Sequence, residues 1–115
     1  MKYLLMIYSD EKAYGARPAE DQKRSYEAYM AYTEALKKAG AFVGADRLQP
    51  TTTATTVRVA NGKTQVLNGP YIETKEQLGG YYMIEAADLD AALSWAARCP
   101  GAEHGIMEVR PVWTY

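Results

Sequence analysis

The chain has 115 residues, enough for one domain with a single hydrophobic core. Hydrophobic residues make up 48% and charged residues 23%, which is typical of a globular protein and excludes a disordered one. Thirteen basic and fourteen acidic residues give a net charge of -1, so the basic excess of a nucleic-acid-binding protein is missing. We therefore expect no nucleic-acid partner.

The cysteine and tyrosine contents further limit the kind of protein and the kinds of site that the chain can form. Cys99 is the only cysteine, which excludes an internal disulfide and a cysteine-based metal site within one chain. The apolar run from Met1 to Tyr8 has no cleavage site after it and is far shorter than the ~20 residues of a membrane span. We expect a soluble, cytoplasmic protein with no membrane partner. Ten tyrosines against one phenylalanine suggest an interface or a polar-tipped cavity, because buried tyrosines need hydrogen-bond partners.

The first predicted strand, Lys2 to Tyr8, is apolar on both faces. Its two faces are Tyr3, Leu5, Ile7 and Leu4, Met6, Tyr8. An antiparallel sheet with helices on one side should instead alternate apolar and polar residues. The pattern therefore indicates that the second face is also covered, by another layer or by another subunit.

A long helix is predicted next, with Pro18 in its first turn and Gly40 as a left-handed cap after about Ala39. The spacing predicts a buried stripe of Tyr26, Tyr29, Met30, Thr33 and Leu36. A short strand over Ala41 to Leu48 should follow.

A β-hairpin follows, because Asn61-Gly62 is a favoured type I′ turn. Its strands would be Thr55 to Ala60 and Lys63 to Leu67, with Val57 opposite Val66.

The remaining elements complete the fold pattern. We predict a strand over Gly80 to Ala86, a helix capped by Asp88 that ends by Pro100, and a last strand over Gly105 to Trp113. Without the hairpin the order is β-α-β-β-α-β, the ferredoxin-like α+β arrangement. The hairpin and the polar segment after it would be insertions in a single domain spanning residues 1–115.

The polar segment Glu73 to Gln77 has two interpretations. The spacing from Thr74 to Gln77 matches a capping box, so the segment could be a solvated helical turn whose charges face water. Alternatively it lids a cavity and presents Glu73 or Lys75 to a ligand.

Glu108 and Arg110 are alternate residues of the last strand and so share a face. On a covered face they would be a binding pair for a polar substrate; on an exposed face they would be a structural ion pair. His104 is the only histidine, and without a second histidine or a nearby cysteine we expect no metal site.

The chain resembles the DGPF/YCII-related family of small bacterial proteins over almost its whole length. The matching strings are KYLLMIY, KKAGAF, LQP, TTVRV, GPYIETKEQLGGYYMIE, DLDAALSWAARCPG and EVRPVW. The resemblance implies a ferredoxin-like protomer that pairs with a second copy into a dimeric α+β barrel enclosing a cavity. Related folds include enzymes that need no cofactor and ligand-binding modules, and some members are linked to sigma factors.

Two departures limit what the resemblance implies. The DGPF motif is here Asn68-Gly69-Pro70-Tyr71, so a general-base role for its aspartate does not transfer, whereas a turn-forming role does. A histidine–aspartate pair proposed for the YCII branch has no counterpart, because no histidine precedes His104.

These observations lead to one main hypothesis. We expect a homodimer that binds a small polar or aromatic molecule without a cofactor, and that could transfer protons through carboxylates and tyrosines. The alternative is a non-catalytic regulatory or partner-binding module associated with transcription. The candidate ligand-binding residues are Glu73, Lys75, Tyr82, Glu108 and Arg110. The candidate turn residues are Asn68, Gly69, Pro70, Tyr71, Gly79 and Gly80.

Overall fold

The computed structural model describes all 115 residues and contains six strands and four helices. The strands are β1 (Lys2–Ser9), β2 (Phe42–Arg47), β3 (Thr55–Ala60), β4 (Lys63–Asn68), β5 (Gln77–Glu85) and β6 (Ile106–Pro111). The helices are α1 (Glu11–Gly15), α2 (Ala19–Lys38), α3 (Leu89–Arg98) and α4 (Gly101–His104).

Four strands form one antiparallel sheet in the order β2-β5-β1-β6, and β3 and β4 form a separate two-stranded sheet. This is the predicted ferredoxin-like arrangement with an inserted hairpin. Strand β1 lies in the centre because its backbone pairs on both edges, with β5 and with β6.

The hydrophobic core lies between one face of the four-stranded sheet and the helices. The sheet contributes Tyr3, Leu5, Ile7, Tyr82 and Ile84, and the helices contribute Tyr32, Leu36, Ala92 and Ala96, together with Cys99 at the end of α3. Cys99 is 1% exposed and so belongs fully to this core.

Helix α2 begins after Pro18 and ends before Gly40, whose φ of 70° closes it as predicted. Its buried side is Tyr32 and Leu36, with Tyr29 packed beside them. The predicted stripe was wrong at Tyr26 and Met30, which are exposed. The buried face is rotated toward Tyr32, whose hydroxyl donates to the Trp95 carbonyl in α3 at 2.7 Å.

Helix α3 begins where predicted, since the Asp88 side chain accepts a bond from the Ala91 amide at 2.9 Å. Helical spacing predicts a buried stripe of Leu89, Ala92, Leu93 and Ala96, and this prediction was partly wrong. Only Ala92 and Ala96 are buried, whereas Leu89 and Leu93 are exposed. Two alanines let the helix approach the sheet closely.

The hairpin matches its prediction in register, with Val57 opposite Val66 and a turn in which Asn61 and Gly62 have φ of 51° and 74°. Residues 73–76, by contrast, contain no helix. Thr74 and Gln77 are joined by a side-chain hydrogen bond from Gln77 Nε2 to the Thr74 carbonyl at 2.6 Å. Strand β5 already begins at Gln77, so no room is left for a helical turn.

The whole chain is a flat slab measuring 48 × 45 × 18 Å. One sheet layer and one helix layer, each about 10 Å thick, fill the smallest dimension. The sheet face turned away from the helices is therefore bare within one chain. No helix has the length and apolarity required to cross a membrane.

Candidate functional site

The bare face of the four-stranded sheet, here called the open face, carries three rows of side chains that run across the strands. The rows are Gly44–Met83–Leu4–Arg110, Asp46–Tyr81–Met6–Glu108 and Leu78–Tyr8–Ile106. The apolar residues on the two central strands are half-buried by their neighbours. Charged residues lie on the two outer strands, so the open face has an apolar centre with polar edges.

Two tyrosine–carboxylate pairs flank Met6 on this face. Tyr81 donates its hydroxyl hydrogen to Asp46 Oδ2 at 2.8 Å, on the β2 side. Tyr8 donates to Glu108 Oε1 at 3.1 Å, on the β6 side. The sheet thus presents the same pair of functional groups at both edges of its apolar centre.

The surroundings of both tyrosine hydroxyls raise their pKa. Removal from solvent, followed by the hydrogen bond to Glu108, raises the pKa of Tyr8 above its ordinary value. The hydrogen bond to Asp46 raises the pKa of Tyr81 in the same direction. At neutral pH both tyrosines are protonated, as tyrosine ordinarily is, and each donates its hydroxyl hydrogen to its carboxylate.

Glu108 and Arg110 project from the same face of β6, as the sequence predicted. Arg110 Nη2 lies 4.0 Å from Glu108 Oε2, and the two side chains are 72% and 46% exposed. An ion pair this exposed adds little to stability. Both groups remain available to a ligand placed over the sheet.

Tyr82, another predicted ligand-binding residue, lies on the opposite face of β5. Its ring packs edge-on against Tyr32 with centroids 5.1 Å apart, and its hydroxyl shares a 2.8 Å hydrogen bond with Thr33. The structure therefore does not bring Tyr82 together with Glu108 and Arg110. Its side chain belongs to the core between the sheet and α2.

The loop candidates also lie apart from the rows of the open face. Glu73 and Lys75 are both exposed in the segment between β4 and β5. Neither belongs to a row of the sheet, so their part in ligand binding stays a prediction.

The motif Asn68-Gly69-Pro70-Tyr71 forms the turn that closes the hairpin at its base. Asn68 is the last residue of β4, and Gly69, with φ of 116°, donates its amide to the Ala54 carbonyl at 2.7 Å. Asn68, Pro70 and Tyr71 help to line an open cleft of about 480 Å³ along one side of the hairpin. Gly79 and Gly80, which were predicted as turn residues, instead lie inside β5.

Tyr8, Tyr81 and Asp46 were not predicted as site residues from the sequence. A signal existed for Tyr8, because it alternates with Leu4 and Met6 on the second apolar face of β1. For Asp46 and Tyr81 the signal is the register between β2 and β5, which a single sequence does not reveal.

His104 is exposed at the end of α4, with Nε2 4.0 Å from Glu103 Oε2. No three histidine, cysteine, aspartate or glutamate side chains are grouped closely enough to hold a metal ion. The open face, in contrast, brings together two tyrosines, two carboxylates and Arg110.

Comparison with known proteins finds a family, a relative and a solved structure that this chain resembles. The profile of the YCII-related domain matches residues 1–115. An uncharacterized protein of Rhizobium meliloti is 39% identical over 117 residues, covering 100% of this chain and 94% of that protein. A solved structure of 5-chloro-2-hydroxyhydroquinone dehydrochlorinase (TftG) from Burkholderia phenoliruptrix, in complex with 2,5-dihydroxybenzoquinone, has 20% identity and a TM-score of 0.52, covering 100% of this chain and 95% of that one. That similarity shows a shared fold.

Proposed function

The chain belongs to the YCII-related domain family, and from that premise we propose that it binds a small, polar aromatic molecule on the open face of a homodimer. The observation that carries the proposal is the row Asp46–Tyr81–Met6–Glu108, in which two tyrosine–carboxylate pairs flank an apolar centre. Ligand sites typically combine such apolar surface with a few convergent polar groups.

A second copy is the natural cover for the open face. Leu4, Met6 and Met83 occupy its centre, and contiguous apolar surface of this kind marks an interaction site on a soluble protein. Covering it with the same face of a second copy would enclose a space between the two sheets, with the apolar centre as its floor and the polar edges along its sides. This pairing is the dimeric α+β barrel implied by the family resemblance.

The size of the row suits one aromatic ring. Neighbouring strands lie about 4.8 Å apart, so Tyr81 and Glu108, which are two strands apart, have Cα atoms separated by roughly 10 Å. A ring placed over Met6 would contact its polarizable sulfur. Oxygen atoms at opposite ends of the ring would then approach the two tyrosine hydroxyls.

The charges suggest a role for each group. Tyr8 and Tyr81, whose hydroxyl hydrogens are donated to carboxylates, would accept hydrogen bonds from ligand hydroxyls through their oxygens, and Arg110 would stabilise negative charge on the ligand. Glu108 is the group placed to accept a proton from a ligand hydroxyl, with Tyr8 held beside it. The hydroxyquinone carried by the structurally similar TftG is of this ligand class.

A binding series tests the proposal. We expect 2,5-dihydroxybenzoquinone, used as the probe, to bind the wild-type protein in calorimetry. Because Tyr8→Phe removes a hydroxyl and Glu108→Gln removes a carboxylate charge and one acceptor oxygen, each should weaken binding about tenfold, or ~1.4 kcal/mol. Tyr26→Phe and Glu34→Gln, on exposed positions of α2, are the matched controls and should bind like wild type.

Two outcomes would contradict the proposal. One is the absence of binding for this probe and for a set of hydroxylated benzenes and benzoquinones. The other is binding that Tyr8→Phe and Glu108→Gln leave unchanged. If the wild type also converts the bound probe, the amount of converted probe should increase over time. Loss of this conversion in Glu108→Gln would identify catalysis in addition to binding.

One observation favours a second candidate, a non-catalytic module that binds a partner protein. The hairpin carries Val57, Val59 and Val66 at 61%, 66% and 60% exposure, and exposed apolar side chains are typical of a protein-binding surface. A partner-binding module would use this surface and would be indifferent to substitutions on the open face.

A further inference from the structure

We propose that the hairpin formed by β3 and β4 is an arm that packs its valine face on the second copy of this chain. The valine face is the side carrying Val57, Val59 and Val66. The inference rests on the homodimer proposed above and extends it by assigning a second contact surface that lies outside the open face.

The hairpin lacks support from its own chain. Its strands pair only with each other, and neither packs extensively on another helix or strand. An isolated two-stranded hairpin is at best marginally stable in water. The three exposed valines on one side of this hairpin are therefore expected to contact another protein chain.

The shape of the molecule places the hairpin at the side of the slab. The 18 Å thickness is filled by one sheet and one helix layer, so the hairpin is not a third layer above the open face. The radius of gyration is 16.1 Å, against about 13 Å for a compact domain of this length. Six-residue strands reach about 20 Å, far enough to extend past the edge of the sheet.

The base of the hairpin is fixed to the body of the protein. Glu11 accepts hydrogen bonds from the Thr51 amide at 2.9 Å and from the Thr51 hydroxyl at 2.8 Å. Thr56 Oγ1 donates to the Gly69 carbonyl at 2.8 Å. An arm anchored in this way loses less conformational freedom on docking than a loose one would.

The two faces of the hairpin differ in charge. The valine face contains no charged residue, since its other positions are Thr55, Thr64 and Asn68. The opposite face carries Arg58 and Lys63, together with the exposed Leu67. This distribution fits an apolar surface beneath the valines and solvent above the cations.

The area of the open face explains why the occupant is a second copy. Four strands 4.8 Å apart and about 20 Å long give a face of roughly 400 Å². A stable interface buries about 800 Å² on each partner. The first area is a flat outline and leaves out the added surface of the side chains, but it is small beside the second. The valine face is uncharged apolar surface from which the same dimer can take additional area.

The test compares matched variants by sedimentation equilibrium. The triple variant Val57→Thr, Val59→Thr, Val66→Thr keeps the β-branched shape and strand propensity while adding hydroxyls to the docking surface. We expect its dimer dissociation constant to rise at least tenfold. The control Arg58→Thr, Lys63→Thr, Gln65→Thr changes only the opposite face and should stay within about threefold of wild type.

A shortened chain tests the same point without relying on the folding of a mutated hairpin. Because the Gly69 amide and the Ala54 carbonyl are 2.7 Å apart, residues 55–68 can be replaced by a two-residue Asn-Gly turn. Circular dichroism should show that the remaining fold is retained. The dissociation constant should rise as in the valine variant.

The outcomes separate this inference from the proposed homodimer. If Met6→Glu dissociates the dimer while the valine and shortened variants do not, the arm assignment fails and the open-face dimer stands. If the wild type is monomeric at all concentrations, both fail. Fast hydrogen exchange of the hairpin amides in a purified dimer would also overturn the assignment. The partner of the valine face would then be a different protein.

Discussion

Tyrosine is used on both faces of the sheet for the same reason, namely that each hydroxyl has a partner. In the core, the Tyr32 hydroxyl donates to the Trp95 carbonyl, and the Tyr82 hydroxyl is hydrogen-bonded to the Thr33 hydroxyl. On the open face, Tyr8 and Tyr81 donate to carboxylates. Aromatic bulk with a satisfied polar end accounts for the preference for tyrosine over phenylalanine at these four positions.

Stability should fall in alkaline solution. Burial raises the pKa of Tyr29, Tyr32 and Tyr82 above the unfolded value of about 10. Below pH ~10 both states hold these protons, so the contribution is complete. Above it the unfolded chain loses them first, and each hydroxyl lowers the free energy of unfolding by up to about 1.4 kcal/mol per pH unit.

Urea titrations between pH 8 and pH 11 would measure this fall. The buried Cys99 thiol, whose pKa burial also raises, should start the fall slightly earlier, near its ordinary value of about 8.5. Tyr32→Phe removes one titrating group and should make the slope shallower, whereas Tyr26→Phe on the exposed side of α2 should not. A free energy of unfolding that stays constant to pH 11 would contradict the assignment.

Single residues of the site were predictable only where the relevant pattern is local. Glu108 and Arg110 were placed on one face because strand alternation needs no partner strand. The Tyr8–Glu108 hydrogen bond joins residues 100 positions apart and requires the register of β1 with β6. Tyr82 was predicted as a ligand-binding residue because it is a tyrosine, whereas its side chain points from β5 into the core.

At the scale of the element, local chemistry decided which predictions held. The hairpin was predicted correctly in register because Asn61-Gly62 fixes its own turn. The capping-box pattern after Thr74 did not produce a helix, because Gln77 is drawn into β5 and its side chain accepts a hydrogen bond from the Glu11 amide at 3.0 Å. Tertiary contacts there override the local preference.

The two adjacent glycines of β5 should respond differently to substitution. A Cβ on Gly80 would lie 2.9 Å from the Asp46 carbonyl oxygen in β2, which is backbone and has little freedom to move. A Cβ on Gly79 would meet only the Ile7 carbonyl oxygen, at 3.9 Å. We expect Gly80→Ala to lower the free energy of unfolding by about 1–3 kcal/mol and to loosen the pairing of β2 with β5.

Gly79→Ala is the matched control, since it adds the same methyl group one residue away. It should change the free energy of unfolding by less than about 1 kcal/mol in either direction. Chemical denaturation gives both values. Equal effects of the two substitutions would show that the close approach at Gly80 is relieved by a backbone shift.

At the scale of the molecule, the order of strands and helices was sufficient to predict the ferredoxin-like sheet, because few arrangements accommodate β-α-β-β-α-β. The open face was foreseen from the two apolar faces of β1. What covers the open face could not be predicted in the same way. The residues that complete an interface belong to a second chain, so they leave no periodic pattern in the sequence of the first.

The homodimer makes the melting temperature depend on protein concentration. Raising the concentration a hundredfold adds about 2.7 kcal/mol to the stability of an associated native state, which for a dimer of this size corresponds to a rise of about 5 °C.

Met6→Glu buries a charge in the centre of the open face, so it should give a lower melting temperature that no longer varies with concentration. Met30→Glu places the same change on the exposed side of α2 and should retain the wild-type dependence. Calorimetry over two decades of concentration decides the matter: a wild-type melting temperature that stays constant would mean that the open face is bare in solution.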